Sequence, residues 1–194
     1  PVNDSPTITV NNGATVTEGS TVTIGSANLS ANDVDDTNSS LVYTLSVIVN
    51  GQVELSTNPN VPIISFTQND LDNNRVVFRH DGSENVGRFN FSVADGGEDG
   101  ATPATGTFTF NVHPVNDSPL ITTANNTTVD TANTVLIKKA VLNATDPDDS
   151  GAGLIYTVDS TTNGQLELLS NPNVAITTFT QADVNNSQLV FRHD

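Results

Sequence analysis

The strongest constraint on this chain is that its sequence repeats at an offset of 113 residues, without any gap. About half of the overlapping positions are identical, which establishes an internal duplication. The clearest matching runs are 1–6 with 114–119, 50–55 with 163–168, 66–68 with 179–181, and 77–81 with 190–194. A period of this length has the size of a domain and is too long for a rung of a solenoid.

The duplication predicts one complete repeat over residues 1–113 and a second repeat over 114–194 that is truncated at its C-terminal strands. The second copy has no counterpart of residues 82–113, which contain two strand-like runs. We therefore expect it to leave a sheet edge and part of its core uncovered. The frame 82–194 also makes one full period, so the sequence leaves both frames open.

Short runs rich in Val, Ile, Thr and Phe alternate with turns of Gly, Asn, Asp and Pro, and this pattern predicts strands. The predicted strands in the first copy are 7–10, 16–24, 41–49, 52–56, 76–80, 89–94 and 107–112. About seven short strands fit an all-β sandwich. One exception is Thr67 with Asp70, a capping-box pattern that predicts a helical turn and recurs at Thr180 and Asp183.

The charge balance excludes several kinds of partner. The chain has 22 acidic residues against six Lys and Arg, a formal net charge of −16. Such a surface repels nucleic acid and anionic membranes.

No apolar run is long enough to cross a bilayer, and none has the pattern of a signal peptide. We therefore expect an interior segment of a longer protein, without direct membrane insertion. The sequence has no cysteine, but a metal can stabilise a secreted domain instead of disulfides.

The acidic residues are concentrated at the predicted strand ends, where oxygen ligands from several loops can converge on a hard cation such as calcium. Each copy has an Asp-x-Asp loop, made by Asp33 and Asp35 in the first and by Asp146 and Asp148 in the second. The other oxygen-rich positions are Glu18, Asp81 to Glu84, Asp95, and the linker pairs Asn3-Asp4 and Asn116-Asp117. Loops of this composition also form turns without any metal, because Asn and Asp side chains bond to their own backbone.

These residues resemble the cadherin repeat. The segment 141–151 resembles a cadherin strand followed by its calcium-binding Asp-x-Asp loop, and 115–119 resembles the cadherin linker. The runs 66–71, 77–84 and 89–96 are similar to the repeat of chondroitin-sulfate proteoglycans and related bacterial surface proteins. The resemblance spans the whole chain and implies tandem cadherin-like or immunoglobulin-like β-sandwiches.

The resemblance also implies a Ca²⁺ cluster at the junction between copies. The ligands that it implies are Glu18, Asp81, Glu84, Asn116, Asp117, Asp146 and Asp148. The chain departs from the cadherin pattern at Pro114, where cadherins have an acid, and at Thr131, which stands at the position of Glu18 in the second copy. These departures favour one or two ions in place of three.

The predicted function is therefore that of a calcium-stabilised structural or adhesion repeat in an extracellular, secreted or cell-surface protein. Its expected partners are neighbouring repeats of the same chain, with cell-surface glycans or proteins as further candidates. One alternative is a glycan- or protein-binding module, and another is an accessory domain of a large secreted enzyme. The sequence indicates no catalytic triad. His80 and His193 occupy the same position of the repeat, which suggests a structural role. We therefore do not expect the chain to be an enzyme.

Overall fold

The chain forms two compact units, Pro1–Val115 and Asn116–Asp194, called here the N-terminal and C-terminal units. The structure is a computed structural model that describes residues 3–96 and 100–194. Pro1 and Val2 of the first linker motif lie outside the described residues. Each unit is described by itself.

Strands dominate the described part of the N-terminal unit. They are β1 Thr7–Asn11, β2 Ala14–Thr17, β3 Thr21–Ile24, β4 Leu29–Asn32, β5 Val42–Val49, β6 Gly51–Leu55, β7 Asn58–Pro62, β8 Ser65–Thr67, β9 Val76–His80, β10 Arg88–Ala94 and β11 Ala104–His113. A 3₁₀-helix at Asn38–Ser40 and the α-helix α1 at Gln68–Asp72 lie between them.

Two of the sheets enclose the core of this unit. One has the strand order β2-β11-β10-β5-β8 and the other β3-β9-β6-β7, while β1 and β4 form a separate pair. The pairing is antiparallel except between β2 and β11, which run parallel. The all-β sandwich that the sequence predicts is confirmed.

Aromatic side chains from both sheets fill the space between them. Phe78 on β9 stacks on Phe110 of β11 with ring centroids 3.8 Å apart, and Phe89 stacks on Phe108 at 5.2 Å. All four rings are fully buried, because alternate residues of a strand point to the same face. Gly106 belongs to this layer, and a Cβ atom there would lie 2.7 Å from the Phe91 ring.

The prediction of one continuous strand over 16–24 is wrong. The chain turns at Gly19, which has a φ of +62°, and the N–H of Ser20 bonds to the carbonyl of Thr17. Glycine adopts this backbone conformation at little cost. The turn places β2 and β3 in different sheets. The segments on either side of Gly19 are therefore both strands, but they are two separate strands.

The C-terminal unit repeats most of these elements at the offset of 113. Its strands are β12 Leu120–Ala124, β13 Thr134–Leu136, β14 Leu142–Thr145, β15 Ile155–Thr157, β16 Gly164–Leu168, β17 Thr178–Thr180 and β18 Leu189–His193, with the helix α2 at Gln181–Asn185. The sheets are β13-β18-β16 and the pairs β12-β14 and β15-β17. The predicted helical turns are α1 and α2, and both arms of the capping box form at each one.

The core of the C-terminal unit is smaller. The given sequence ends at the position equivalent to Asp81, so this unit contains no residues equivalent to β10 and β11. Residues 127–130, which correspond to β2, form no strand either, because the partner of β2 in the first copy is β11. The buried apolar cluster here consists of Phe179, Val184 and Leu189, with partly buried neighbours around it.

Candidate metal-binding loops

The Asp-x-Asp loop of the C-terminal unit directly follows β14. Asp146 Oδ1 accepts hydrogen bonds from the backbone N–H groups of Asp148 and Asp149, both at 2.9 Å. Asp148 Oδ2 in turn accepts the N–H of Asp117 at 2.6 Å. The loop and the linker residue are therefore held together, and three of the predicted ligands lie side by side. Asn116 is exposed next to them, with its Nδ2 donating to the carbonyl of Asp117.

The first copy has the same construction at its Asp-x-Asp loop. Asp33 Oδ1 accepts the N–H groups of Asp35 and Asp36 at 3.0 and 3.1 Å. Asp35 Oδ2 accepts the N–H of Asp4 at 2.8 Å. Every one of these bonds has its equivalent 113 residues later, apart from small differences in length.

One atom of the first loop has an environment that fits a cation. Asp33 Oδ2 is buried from solvent and has no hydrogen-bond partner among the described residues. An unpaired buried carboxylate oxygen is costly, so such an atom calls for a ligand or an ordered water. Carboxylate oxygen is also the donor type that calcium prefers. The residues present therefore fit a hard cation at this loop.

Asp33 and Asp35 are not among the ligands inferred from the cadherin resemblance, which were taken only from the junction between the copies. The signal that identifies them is the internal repeat itself, since they stand at the positions of Asp146 and Asp148. Asp95 contacts the first linker motif, a contact that sequence spacing alone could not predict. Its Oδ2 accepts the side-chain N–H of Asn3 at 3.0 Å, across 92 residues of sequence.

The remaining predicted ligands, Glu18, Asp81 and Glu84, lie in the N-terminal unit. Glu18 occupies the turn between β2 and β3, is nearly buried, and accepts the N–H of Val115 at 2.9 Å. Carboxylate oxygens of Glu18 and Glu84 lie within 4.8 Å of each other. Two like charges at this separation repel, and a cation between them would remove that repulsion.

The loop that carries Asp81 and Glu84 is anchored by a buried histidine. The Nδ1 atom of His80 accepts the N–H of Gly82 at 3.3 Å and that of Gly19 at 3.5 Å, while Nε2 lies 2.9 Å from the carbonyl of Asn85. His80 thus connects the β2–β3 turn to residues 81–85. This geometry agrees with the structural role suggested by its position in the repeat.

The electrostatics of Asp81 favour the charged form. Partial burial acts to raise its pKa, but the hydrogen bonds from Ser83 outweigh this effect and lower the pKa of Asp81 below its ordinary value. Its Oδ1 accepts the N–H of Ser83 at 3.0 Å. Asp81 is therefore an anion at neutral pH, as a cation ligand must be.

A duplicated all-β module, with an Asp-x-Asp loop directly after a strand in each copy, defines a class of β-sandwich repeat proteins. The chain belongs to the cadherin-like family, whose model matches residues 6–113 and 119–194. The resemblance inferred from the sequence is thereby confirmed, as is the fold class.

The relatives are large extracellular proteins. The chain is 28% identical over 195 residues to human extracellular matrix organizing protein FRAS1, a match that covers 97% of this chain and 5% of that protein. It is 28% identical to extracellular matrix protein 3 of Lytechinus variegatus, with 98% and 6% covered. Human chondroitin sulfate proteoglycan 4 is 38% identical over 97 residues, which are 50% of this chain and 4% of the relative.

The chain thus spans only a small part of the length of these relatives. Their names describe matrix proteins and a proteoglycan, which confirms the extracellular localisation that the sequence predicts.

Among solved structures, titin domains Z1Z2 in complex with telethonin match with a TM-score of 0.33 and 14% identity, over 100% of this chain and 84% of that one. The α-helices of the described residues have five residues each, which is too short to span a bilayer.

Proposed function

We propose that this chain is a calcium-stabilised structural repeat pair of an extracellular matrix or cell-surface protein. The observation that carries the proposal is the Asp-x-Asp loop, built twice with the same bonds. In each copy one aspartate closes the loop through backbone N–H groups and the other holds a linker aspartate. The loop geometry is thus set by the chain before any cation binds.

In this role the residues of the chain concentrate negative charge and hold it in place. Asp117, Asp146 and Asp148 lie together, as do Asp4, Asp33 and Asp35. A bound Ca²⁺ would supply the opposite charge. Without it, repulsion between neighbouring carboxylates acts against the hydrogen bonds that hold each loop, so each unit is less stable.

The proposed calcium ligands are Glu18, Asp81 and Glu84 of the first copy and Asn116, Asp117, Asp146 and Asp148 of the linker and second copy. Support comes from Glu18 and Glu84, whose carboxylate oxygens lie within 4.8 Å of each other. Extracellular calcium modules bind with dissociation constants of about 10⁻⁴ to 10⁻³ M. Such sites are filled outside a cell and empty inside it.

The proposed role is mechanical and does not involve catalysis. Tandem repeats stiffened by calcium would act as a rod that holds other modules away from a surface, with neighbouring repeats of the same chain as the principal partners. The relatives support this role because they are named as matrix proteins and a proteoglycan. Glycans or proteins at a cell surface would be the targets of the whole protein.

Thermal unfolding with and without calcium tests the proposal. The chain has no tryptophan and two tyrosines, so a Tyr43→Phe background lets the fluorescence of Tyr156 report on the C-terminal unit alone. At a calcium concentration about 100 times the dissociation constant, linkage predicts a stabilisation of about 2.7 kcal/mol. For a unit of this size, that corresponds to an upward shift in Tm of about 10 °C or more.

Three variants make the test specific. Asp146→Asn and Asp148→Asn should each reduce the calcium-dependent shift in Tm, because they remove a charged oxygen from the loop. Asp159→Asn removes one negative charge from an exposed position of the same unit and should leave the shift unchanged. A Tm that is the same in calcium and in chelator, or a shift that Asp159→Asn reduces equally, would refute the calcium proposal.

A further inference from the structure

The sheet β13-β18-β16 of the C-terminal unit carries an apolar groove on its outer face. The groove has a volume of about 560 Å³ and is lined by Thr134, Val135, Leu136, Lys138, Leu169 and Val190. Val190 follows Leu189, which belongs to the buried cluster, so the side chain of Val190 points to the opposite face of the sheet. Leu136 is its partner on the neighbouring strand. The groove is therefore built on the face that points away from the core.

The second copy owes this groove to larger side chains than the first copy has. Leu136, Lys138 and Leu169 stand at the positions of Thr23, Gly25 and Ser56. A Cβ atom at Gly25 would collide with the side chain of Asn74, whereas the second copy has Ser187 at the position of Asn74. The groove is thus a property of the second copy that its own sequence specifies.

The opening of the groove does not depend on which strands follow β18. In the N-terminal unit, β10 and β11 belong to the other sheet. The groove-equivalent residues Thr23 and Ser56 are exposed there, although β10 and β11 are present. The outer face of this sheet therefore stays open in a complete repeat.

The two lysines of the chain adjoin the groove. Lys138 lines it and Lys139 follows in the turn before β14, and both are exposed. Neither forms an ion pair within the described part of the chain, although the sequence has 22 acidic residues. Glu167, which is paired with Val190 across the sheet, is already bonded to Arg192. The electrostatic complement of this groove is therefore an apolar side chain flanked by carboxylates.

The chain itself presents such a segment. Val34 lies between Asp33 and Asp35 and is 89% exposed, the highest value among the large apolar side chains of the described residues. The equivalent Pro147 is exposed too, so the tip of the loop is open in both copies. Hydrogen bonds to the carboxylates of Asp33 and Asp35 already hold this loop, so binding would order little additional chain.

We propose that the groove binds the loop of residues 33–36 from a second molecule of this chain, with Val34 packed against the leucines of the groove and the loop carboxylates facing its two lysines. The loop and the groove lie in different copies, so each molecule has one of each. Such a contact is head-to-tail and does not close on itself. A single contact of this size is transient, and it is strengthened when several repeats pair along two molecules.

This inference goes beyond the calcium proposal and does not require it. Asp4, Asp33, Asp35 and Asp36 together carry four negative charges, and one Ca²⁺ would offset two of them. The loop therefore remains anionic with or without the ion. Measurements in chelator keep the test of the contact separate from calcium binding.

The test is self-association of the whole chain. Sedimentation velocity gives the weight-average mass over a series of protein concentrations, and NMR gives the amide shifts. We expect the mass to rise with concentration, and the amides of Val34 and Leu169 to shift together with one dissociation constant. Raising the salt concentration from about 0.01 M to 0.15 M should weaken the contact, because its charges are exposed.

Two variants and one control make the test specific. Val34→Thr and Leu169→Ser should each raise the dissociation constant about tenfold, because each removes apolar contact. The first variant keeps its groove and the second keeps its loop, so their mixture should form pairs with the affinity of the unmodified chain, but no longer assemblies. Val61→Thr replaces another exposed valine of the same unit and should leave the association unchanged.

Three results would overturn the proposal. The first is a mass and amide shifts that do not depend on concentration. The second is an association that Val34→Thr or Leu169→Ser leaves unchanged, or that Val61→Thr weakens equally, because another surface would then form the contact. The third is a shift of the Leu169 amide by heparin in a chain that stays monomeric, which would make a sulfated glycan the occupant. None of these results bears on the calcium-dependent shift in Tm.

Discussion

Arg79 Nη2 lies 2.9 Å from Oε1 of Glu54, whose side chain is only 2% exposed. The other carboxylate oxygen of Glu54 accepts the N–H of Asn60 at 2.9 Å and a side-chain N–H of Gln52 at 3.0 Å. Glu54 thus connects β6 to β7 through the backbone of Asn60, a residue with a positive φ. Arg192 and Glu167 repeat the arrangement at 2.7 Å in the C-terminal unit.

The first prediction concerns this pair. Glu54→Leu should destabilise the N-terminal unit by about 1–3 kcal/mol, because the Asn60 N–H and the Arg79 guanidinium lose their acceptor. Glu54→Gln retains an oxygen for Asn60 and should cost less. Urea unfolding in a Tyr156→Phe background, where Tyr43 is the only tyrosine, measures both variants. Equal losses for the two variants would show that the backbone bond contributes little.

The second prediction is the pH dependence of stability. Burial opposes ionisation of Glu54, but hydrogen bonds from Arg79, Gln52 and Asn60 outweigh it and lower the pKa of its carboxyl below the usual 4.5. Hydrogen bonds from Thr67 and Arg75 lower the pKa of Asp70 in the same way, against the effect of burial. Both groups therefore stabilise the folded state above their unfolded pKa values, near pH 4, and lose this contribution as the pH falls through the folded values.

The measurement is the free energy of unfolding from about pH 7 down to pH 3. The difference between the unmodified chain and Glu54→Gln should be constant above about pH 5 and should shrink at lower pH. The same holds for Asp70→Asn. A difference that grows on acidification would contradict the direction of the pKa shifts.

The third prediction concerns Gln68, which links α1 to two strands. Its Oε1 accepts the N–H of Ala31 at 3.0 Å and the hydroxyl of Tyr43 at 2.6 Å, and all three residues are buried. Gln68→Leu leaves two buried donors without an acceptor and should cost about 2–4 kcal/mol. Tyr43→Phe removes one of these donors, so the double variant should be less destabilised than the sum of the two single variants. Thermal unfolding followed by circular dichroism checks this, and strict additivity would contradict the proposed link.

The fourth prediction extends the calcium test to the first copy. Asp33→Asn and Asp35→Asn should reduce the calcium-dependent shift in Tm of the N-terminal unit, reported by Tyr43 in the Tyr156→Phe background. They should leave the shift of the C-terminal unit as it is, because the two loops belong to different units. Loss of both shifts, or of neither, would show that Asp33 and Asp35 are not the ligands of a separate site.

The elements that the sequence predicted well are those set by local chemistry. The capping boxes at Thr67 and Thr180 need residues only three positions apart, and both formed. Strands such as β9 and β10 were predicted from the alternation of apolar and polar residues, because every second side chain of a strand points to the buried face.

The prediction of one strand over 16–24 was wrong because the same alternation continues through the turn at Gly19. Nothing in the local sequence shows that the chain changes sheets there. The strand β7 was missed because all of its residues are exposed and two of them are proline, so it carries no apolar alternation.

The sequence by itself determined the duplication, the sandwich class and the concentration of carboxylates at strand ends, because these depend on residue order and on short-range periodicity. Only the tertiary structure decided which carboxylates meet, as in the approach of Glu18 to Glu84 and of Asn3 to Asp95, which are separated by 66 and 92 residues. It also decided that residues 127–130 form no strand, although the equivalent β2 does. The physical reason is the same in each case: a strand edge or a carboxylate is stabilised by its partner in space, and sequence spacing does not specify that partner.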